Sequence, residues 1–146
     1  MDIKNVKHLG EIGERITIGI LSQFGMDIML PMTDNLPFDL VIWYNNKFYK
    51  CQVKTTMGKT PTGAYRFGLT SNNWYSKTEY VYQKGDYDVL ICCNMSDIFL
   101  FKFEEVEGKF NLYLRDTPTK SGQKKGIWFT WDYKISKERI EKVFDI

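Results

Sequence analysis

Asp39-Leu40-Val41-Ile42-Trp43-Tyr44-Asn45-Asn46-Lys47-Phe48-Tyr49-Lys50-Cys51-Gln52-Val53-Lys54 reads as two β-strands joined by a tight turn. Leu40 to Trp43 is an apolar run, Asn45-Asn46-Lys47 has the composition of a hairpin turn, and Phe48 to Lys54 supplies the returning strand. Side chains alternate along a strand, so Gln52 and Lys54 share one face while Cys51 and Val53 take the other. Asp39 follows Pro37-Phe38 at the open end of this hairpin. An acid, an amide oxygen and a lysine thus converge on neighbouring strands, forming a candidate metal site with a cation beside it.

Upstream, about Asn5 to Phe24 reads as an amphipathic helix, with Val6, Leu9, Ile12 or Gly13, Ile16, Ile20 and Phe24 recurring at three- and four-residue steps and Gly25 as the stop. Met26 to Pro31 follows as a short extended segment. Downstream, Thr55 to Thr62 is loop-rich, Tyr65 to Leu69 suits a strand, and Ser71 to Tyr82 has no clean period. Tyr87 to Cys93 is apolar enough for a strand buried on both faces, and Asp97 to Phe103 suits its antiparallel neighbour across Asn94-Met95-Ser96. Phe110 to Arg115 adds a further strand. Ser136 caps a terminal helix, Lys137 to Phe144. The expectation is one α/β (α+β) domain, residues 1–146, with no internal repeat and no low-complexity linker.

The 146 residues carry 20 basic and 18 acidic side chains, a net charge of +2, so any basic surface must be local. The run Lys120-Ser121-Gly122-Gln123-Lys124-Lys125-Gly126, with Arg115 before it and Lys134 after it, is the best candidate for one. Lys59 and Arg66 lie in or beside the loop that starts at Thr55, and they join Arg115, Lys120, Lys124 and Lys125 as candidate DNA contacts. Three cysteines, two of them adjacent, make neither a disulfide framework nor a metal-ligand spacing, and they suit a reducing compartment. One histidine, His8, argues against multi-histidine zinc chemistry. No secretory signal and no membrane-length apolar run is visible, so a cytoplasmic, intracellular protein is expected, nucleoid-associated if bacterial. The 16% aromatic share points to core or subunit burial, with some rings available to stack on bases.

Cleaving a phosphodiester needs a nucleophilic water, charge neutralisation at the phosphate and a stabilised leaving oxygen, all of which divalent metals supply. Mg²⁺ prefers oxygen ligands, often one or two carboxylates. Asp39 and the Gln52 carbonyl offer two such ligands. Lys54 is placed to orient water or to oppose developing charge. A second carboxylate is available from the helix at Glu11 or Glu14, three residues apart on neighbouring parts of one face. Gly10 and Gly13 flank them and would permit close packing of the helix on the sheet.

The order Gly10-Glu11-Ile12-Gly13-Glu14, then Asp34-Asn35-Leu36-Pro37-Phe38-Asp39-Leu40-Val41, then Cys51-Gln52-Val53-Lys54-Thr55 resembles the PD-(D/E)XK nuclease superfamily. More narrowly it resembles the small branch containing a cyanobacterial group I intron-encoded homing endonuclease, with archaeal Holliday-junction resolvases as more distant relatives. The likeness extends through Asp88 to Phe103, Leu112 to Arg115 and Trp131-Asp132-Tyr133, and so covers most of the chain. The resemblance implies a restriction-endonuclease-like mixed sheet flanked by helices. It also implies an endodeoxyribonuclease using Mg²⁺ or Mn²⁺, with Glu14, Asp39 and Gln52 as metal ligands and Lys54 as the motif lysine. Two departures stand out: Phe38 lengthens the Pro-Asp pair by one residue, and Gln52 replaces the usual acid, as the homing-enzyme branch tolerates. By the same resemblance, cutting both strands of DNA calls for a homodimer or homotetramer. Two other readings compete: a catalytically silent nuclease-fold DNA-binding or scaffold module, suggested by the missing third carboxylate, and a protein-interaction subunit, suggested by the aromatics and near-neutral charge.

Overall fold

The computed structural model describes residues 5–72 and 78–144. Helix α1 (Val6–Gln23) is capped by Asn5, whose Oδ1 accepts the His8 N–H at 2.8 Å, and it ends at Gly25, whose φ of 75° only glycine adopts at little cost. Strands β1 (Asp27–Met29), β2 (Leu40–Tyr44) and β3 (Lys47–Thr55) then form an antiparallel meander. The hairpin turn is the two residues Asn45 and Asn46, with φ of 50° and 61°, the paired left-handed conformations that match strand twist. Lys47 therefore belongs to the strand and pairs with Tyr44.

Next come β4 (Ala64–Gly68), β5 (Ser71–Asn72), β6 (Glu79–Tyr80), β7 (Val89–Cys93), β8 (Ile98–Lys102), α2 (Phe103–Val106) and β9 (Asn111–Arg115). The chain closes with β10 (Trp128–Phe129), α3 (Thr130–Tyr133) and α4 (Lys137–Val143), whose cap Ser136 accepts the Arg139 N–H at 3.0 Å. The main sheet has the order β1-β2-β3-β7-β8, parallel only between β3 and β7, so it is mixed. A smaller sheet, β10-β9-β4, lies apart from it. Part of the aperiodic stretch from Ser71 to Tyr82 forms β5 and β6, and residues 73–77 of it lie outside the described residues.

Two apolar layers sandwich the main sheet. Cys51, Val53, Val89, Ile91 and Cys93 pack with Leu21 of α1 and with Ile140 and Phe144 at α4. Leu90, Cys92, Phe99 and Phe101 point the other way, into Phe67, Leu112 and Leu114 of the small sheet and Phe103 of α2. All five residues of β7 are buried, the two-sided burial expected of its continuous apolar run. At the β8 edge, Ile135 N–H donates to the Ile98 carbonyl, and the buried Arg139 guanidinium donates to the Leu100 carbonyl and to Glu105. That cover blunts an edge otherwise open to strand pairing.

The phase of α1 differs from the periodic expectation. Its buried line is Gly13, Thr17 and Leu21, one residue on from Ile12, Ile16 and Ile20, while Val6 and Phe24 are exposed. The small residues Gly13 and Thr17 mark the closest approach on this line, and the isoleucines flank it. A Cβ on Gly13 would lie 1.8 Å from Thr55 Oγ1, so this glycine permits the helix to sit on β3. Gly10 meets nothing within 4 Å and has no such role.

Candidate active site

The site forms where β2 begins and β3 ends. Asp39 N–H donates to the Cys51 carbonyl, continuing the hairpin by one step, and the Asp39 carboxylate accepts the next strand N–H, from Val53, at 2.8 Å. The same Oδ2 accepts the Gln52 amide at 2.8 Å. Gln52 is buried on the face away from α1, and its Nε2 also reaches the Val53 carbonyl at 3.3 Å. Both amide hydrogens are thus engaged, and among the described residues Oε1 accepts no hydrogen bond, leaving it available as a ligand.

Glu14 comes from α1, one residue after the glycine that lets the helix touch β3. Its carboxyl lies within interaction range of that of Asp39, and the two titrate as a coupled pair. Burial, followed by repulsion from Asp39, pushes Glu14 up to about 7. Asp39 is also raised, by burial, against the opposing pull of the Val53 N–H and Lys54. Two carboxyls this close repel each other when both are charged, a repulsion that a bound cation would relieve. Glu11 adds negative charge near Glu14 but is not hydrogen-bonded to Asp39 in this arrangement. Among the described residues no group of three His, Cys, Asp or Glu side chains converges to hold a metal. The donors that fit one are two carboxyls and the neutral Gln52 oxygen, suited to a hard oxygen-seeking cation.

Lys54 shares its face with Gln52, as alternation requires. Its Nζ donates to the Thr70 carbonyl at 3.1 Å and lies 5.3 Å from the centroid of the Tyr82 ring. Burial lowers its pKa, with Asp39 and Cys92 acting in the other direction. The seat formed by Thr70 and Tyr82 had no signal in the sequence, because Tyr82 is the last residue of the aperiodic stretch. An open cavity of about 610 Å³ is bounded by Glu14, Asp39, Phe38, Pro31 and Asp34. Asp34 is therefore a further carboxylate lining this cavity, one that no strand or helix periodicity marks as a site residue.

The candidate DNA contacts divide. Lys59 pairs with Asp116 at 2.7 Å, and Arg115 donates to the carbonyls of Thr62 and Thr117, so both are tied into loop structure. Arg66, opposite Tyr113 on the small sheet, is exposed, as are Lys120, Lys124 and Lys125. Among the described residues these four make no side-chain ion pair.

The mixed sheet thus brings together a carboxylate at the mouth of a hairpin, an amide and a lysine on the returning strand, and a helix carboxyl packed across them. The chain belongs to the PD-(D/E)XK endonuclease family, whose model matches residues 4–136. It is 31% identical over 110 residues to Protein 5.3 of Escherichia phage T7, an alignment covering 74% of this chain and 90% of that protein. The bacterial homing endonuclease I-Ssp6803I has the same fold, with a TM-score of 0.73 at 20% identity over 89% of this chain and 88% of that one. The fold is thus restriction-endonuclease-like, as the sequence resemblance implies. The three cysteines are free and buried, and no helix among the described residues is long and apolar enough to cross a membrane.

Proposed function

We propose that this chain, acting as a single domain, is a metal-dependent DNA endonuclease of homing-endonuclease-like or junction-resolvase-like type, working as a homodimer or homotetramer. The observation that carries this reading is the Glu14–Asp39–Gln52 cluster, with Lys54 held on the same strand face as Gln52. Glu14, Asp39 and the Gln52 oxygen would hold Mg²⁺ or Mn²⁺, which when bound supplies Lewis-acid activation of water and charge neutralisation. Asp39 is fixed by the Val53 N–H and by Gln52, so its position owes nothing to a ligand. Lys54, with its ammonium braced by Thr70 and Tyr82, orients the attacking water and opposes charge growing on the phosphate. Two identical sites would be needed to cut two strands, which motivates the oligomer.

The test is cleavage of a mixed panel of duplexes, junctions and flaps in Mg²⁺ or Mn²⁺. Activity in either metal that EDTA abolishes supports the reading, and absence of cutting on every substrate would sink it. Lys54→Met should lower the single-turnover rate by about 10²-fold with little change in DNA affinity, the scale of losing one preorganised charge. Unchanged cutting by that variant would remove Lys54 from the mechanism.

The carboxyl pair also predicts a pH dependence. Glu14 holds its proton to about pH 7 in the folded chain but only to about 4.5 in the unfolded one. Its contribution to stability is therefore present below 4.5 and lost as pH rises through 7. Allowing for screening at a half-exposed carboxyl, the loss is on the order of 1–2 kcal/mol. In EDTA, denaturant melts of the wild type should show this decline relative to Glu14→Gln, and Mg²⁺ should offset it above pH 7. Parallel pH profiles for the two proteins would contradict the raised Glu14 pKa.

A further inference from the structure

The segment from Asp116 to Ile127 carries Lys120, Lys124 and Lys125, all exposed and without ion-pair partners among the described residues. It leads into Trp128-Phe129 and the turn of helix that holds Trp131. Alternation sends Trp128 inward, where it stacks on Tyr133 and meets Phe101. Phe129 and Trp131 turn the other way, and their rings lie 4.3 Å apart and within 10° of parallel. Trp131 remains 57% exposed. With Pro118, Lys124, Ile127 and Asp132 the two rings wall an open cavity of about 520 Å³.

A flat, exposed aromatic ring calls for a flat apolar partner, and three lysines without ion pairs, of which Lys124 lines the cavity, outnumber the Asp132 carboxylate in its wall and call for an anionic one. A nucleotide carries both in one unit. A second copy of this chain does not, because a symmetric contact sets lysine loop against lysine loop. The position fits as well. Lys54 pairs across the sheet with Cys92, Cys92 with Phe99, and Phe99 bridges to Lys134, the residue that ends the turn holding Trp131. Three strand spacings of roughly 4.8 Å place this row's end roughly 14 Å from the Lys54 backbone, about four nucleotides of a stacked strand.

We propose that the Phe129–Trp131 shelf, with Lys120, Lys124 and Lys125, binds an unstacked nucleotide of the DNA substrate, the base lying on Trp131 and the phosphate against the lysines. The protein thereby favours DNA carrying unpaired bases a few nucleotides from the cut. This deepens the nuclease reading and rests on it for the position of the cut, but its test requires no cutting.

The measurement is fluorescence anisotropy in EDTA, comparing the full chain on a blunt duplex and on the same duplex with a single-stranded flap. The wild type should bind the flapped DNA about tenfold more tightly, as expected for one stacked base. Trp131→Ala should lose that preference with blunt-duplex affinity unchanged, and Trp131→Phe should keep most of it. Replacing the three lysines by alanine should reduce the log–log salt slope on a single strand by about two. A flap preference that is absent from the wild type, or that survives in Trp131→Ala, overturns the proposal. So does a Trp131→Ala protein that sediments as a smaller species and loses both DNAs equally, which would make the shelf an interface between copies. A Trp131-dependent preference in a protein that cuts nothing in Mg²⁺ would uphold the shelf and refute the nuclease reading.

Discussion

Asp39→Asn is expected to slow phosphodiester cleavage by roughly 10³-fold or more, on the scale of losing a preorganised electrostatic stabiliser, with the fold intact. The wild-type carboxylate accepts the Val53 N–H and the Gln52 amide, both at 2.8 Å. An asparagine carbonyl can still accept from Val53, so the hairpin mouth stays closed. What disappears is the charge, together with the repulsion that drives a proton onto Glu14. Thermal stability should therefore hold or rise, while metal affinity falls. Asp39→Ala behaves differently, because it leaves both donors without an acceptor and costs about 1–3 kcal/mol of stability as well. Single-turnover cleavage combined with thermal melts separates the two variants. An Asp39→Asn protein cutting within tenfold of the wild type would show that the charge at this position is not needed.

Gly13→Ala is expected to destabilise the chain by about 2–4 kcal/mol, at the upper end for overpacking, because the strain falls between two backbones. The new Cβ would lie 1.8 Å from Thr55 Oγ1, 2.6 Å from its Cγ2 and 2.7 Å from its Cβ. No rotation of Thr55 relieves the last of these contacts. Either α1 lifts from β3 or the strand bends, and Glu14, the next residue, moves off Asp39. The variant should thus lose activity along with stability. Thr55→Ala in the same chain removes the two closest contacts, and with them a hydroxyl buried without a hydrogen-bond partner among the described residues, so it should recover part of both losses. Urea denaturation of the wild type and these two variants checks this. Gly13→Ala at wild-type stability would mean that the helix is not seated as described.

The hairpin was legible because its signals are local. Asn45-Asn46 fixes the turn, and period-two alternation then fixes which face Gln52 and Lys54 share. The pairing of Tyr87 to Cys93 with Asp97 to Phe103 was legible for the same reason. Helix α1 was legible in extent but not in phase, because apolar periodicity finds the isoleucines while the closest packing falls on Gly13 and Thr17, which carry little or no hydrophobic signal. β10 and the two four-residue helices α2 and α3 had no signal of their own. They are held by Phe103, Trp128 and Tyr133 packing on residues distant in sequence. At the site, the candidate residues were readable as an ordered set. Their chemistry was not, since the coupling of Glu14 to Asp39 and the bracing of Lys54 by Thr70 and Tyr82 depend on contacts between separate elements.

The central claim is that Glu14, Asp39 and Gln52 form a divalent-metal site beside Lys54. Calorimetric titration of Mn²⁺ into the metal-free wild type and into Asp39→Asn at pH 8 tests it most directly. The account predicts saturable binding to the wild type, weakened at pH 6 as Glu14 regains its proton, and none to the variant. Equal Mn²⁺ binding by the two proteins, or no saturable binding by the wild type, would contradict it.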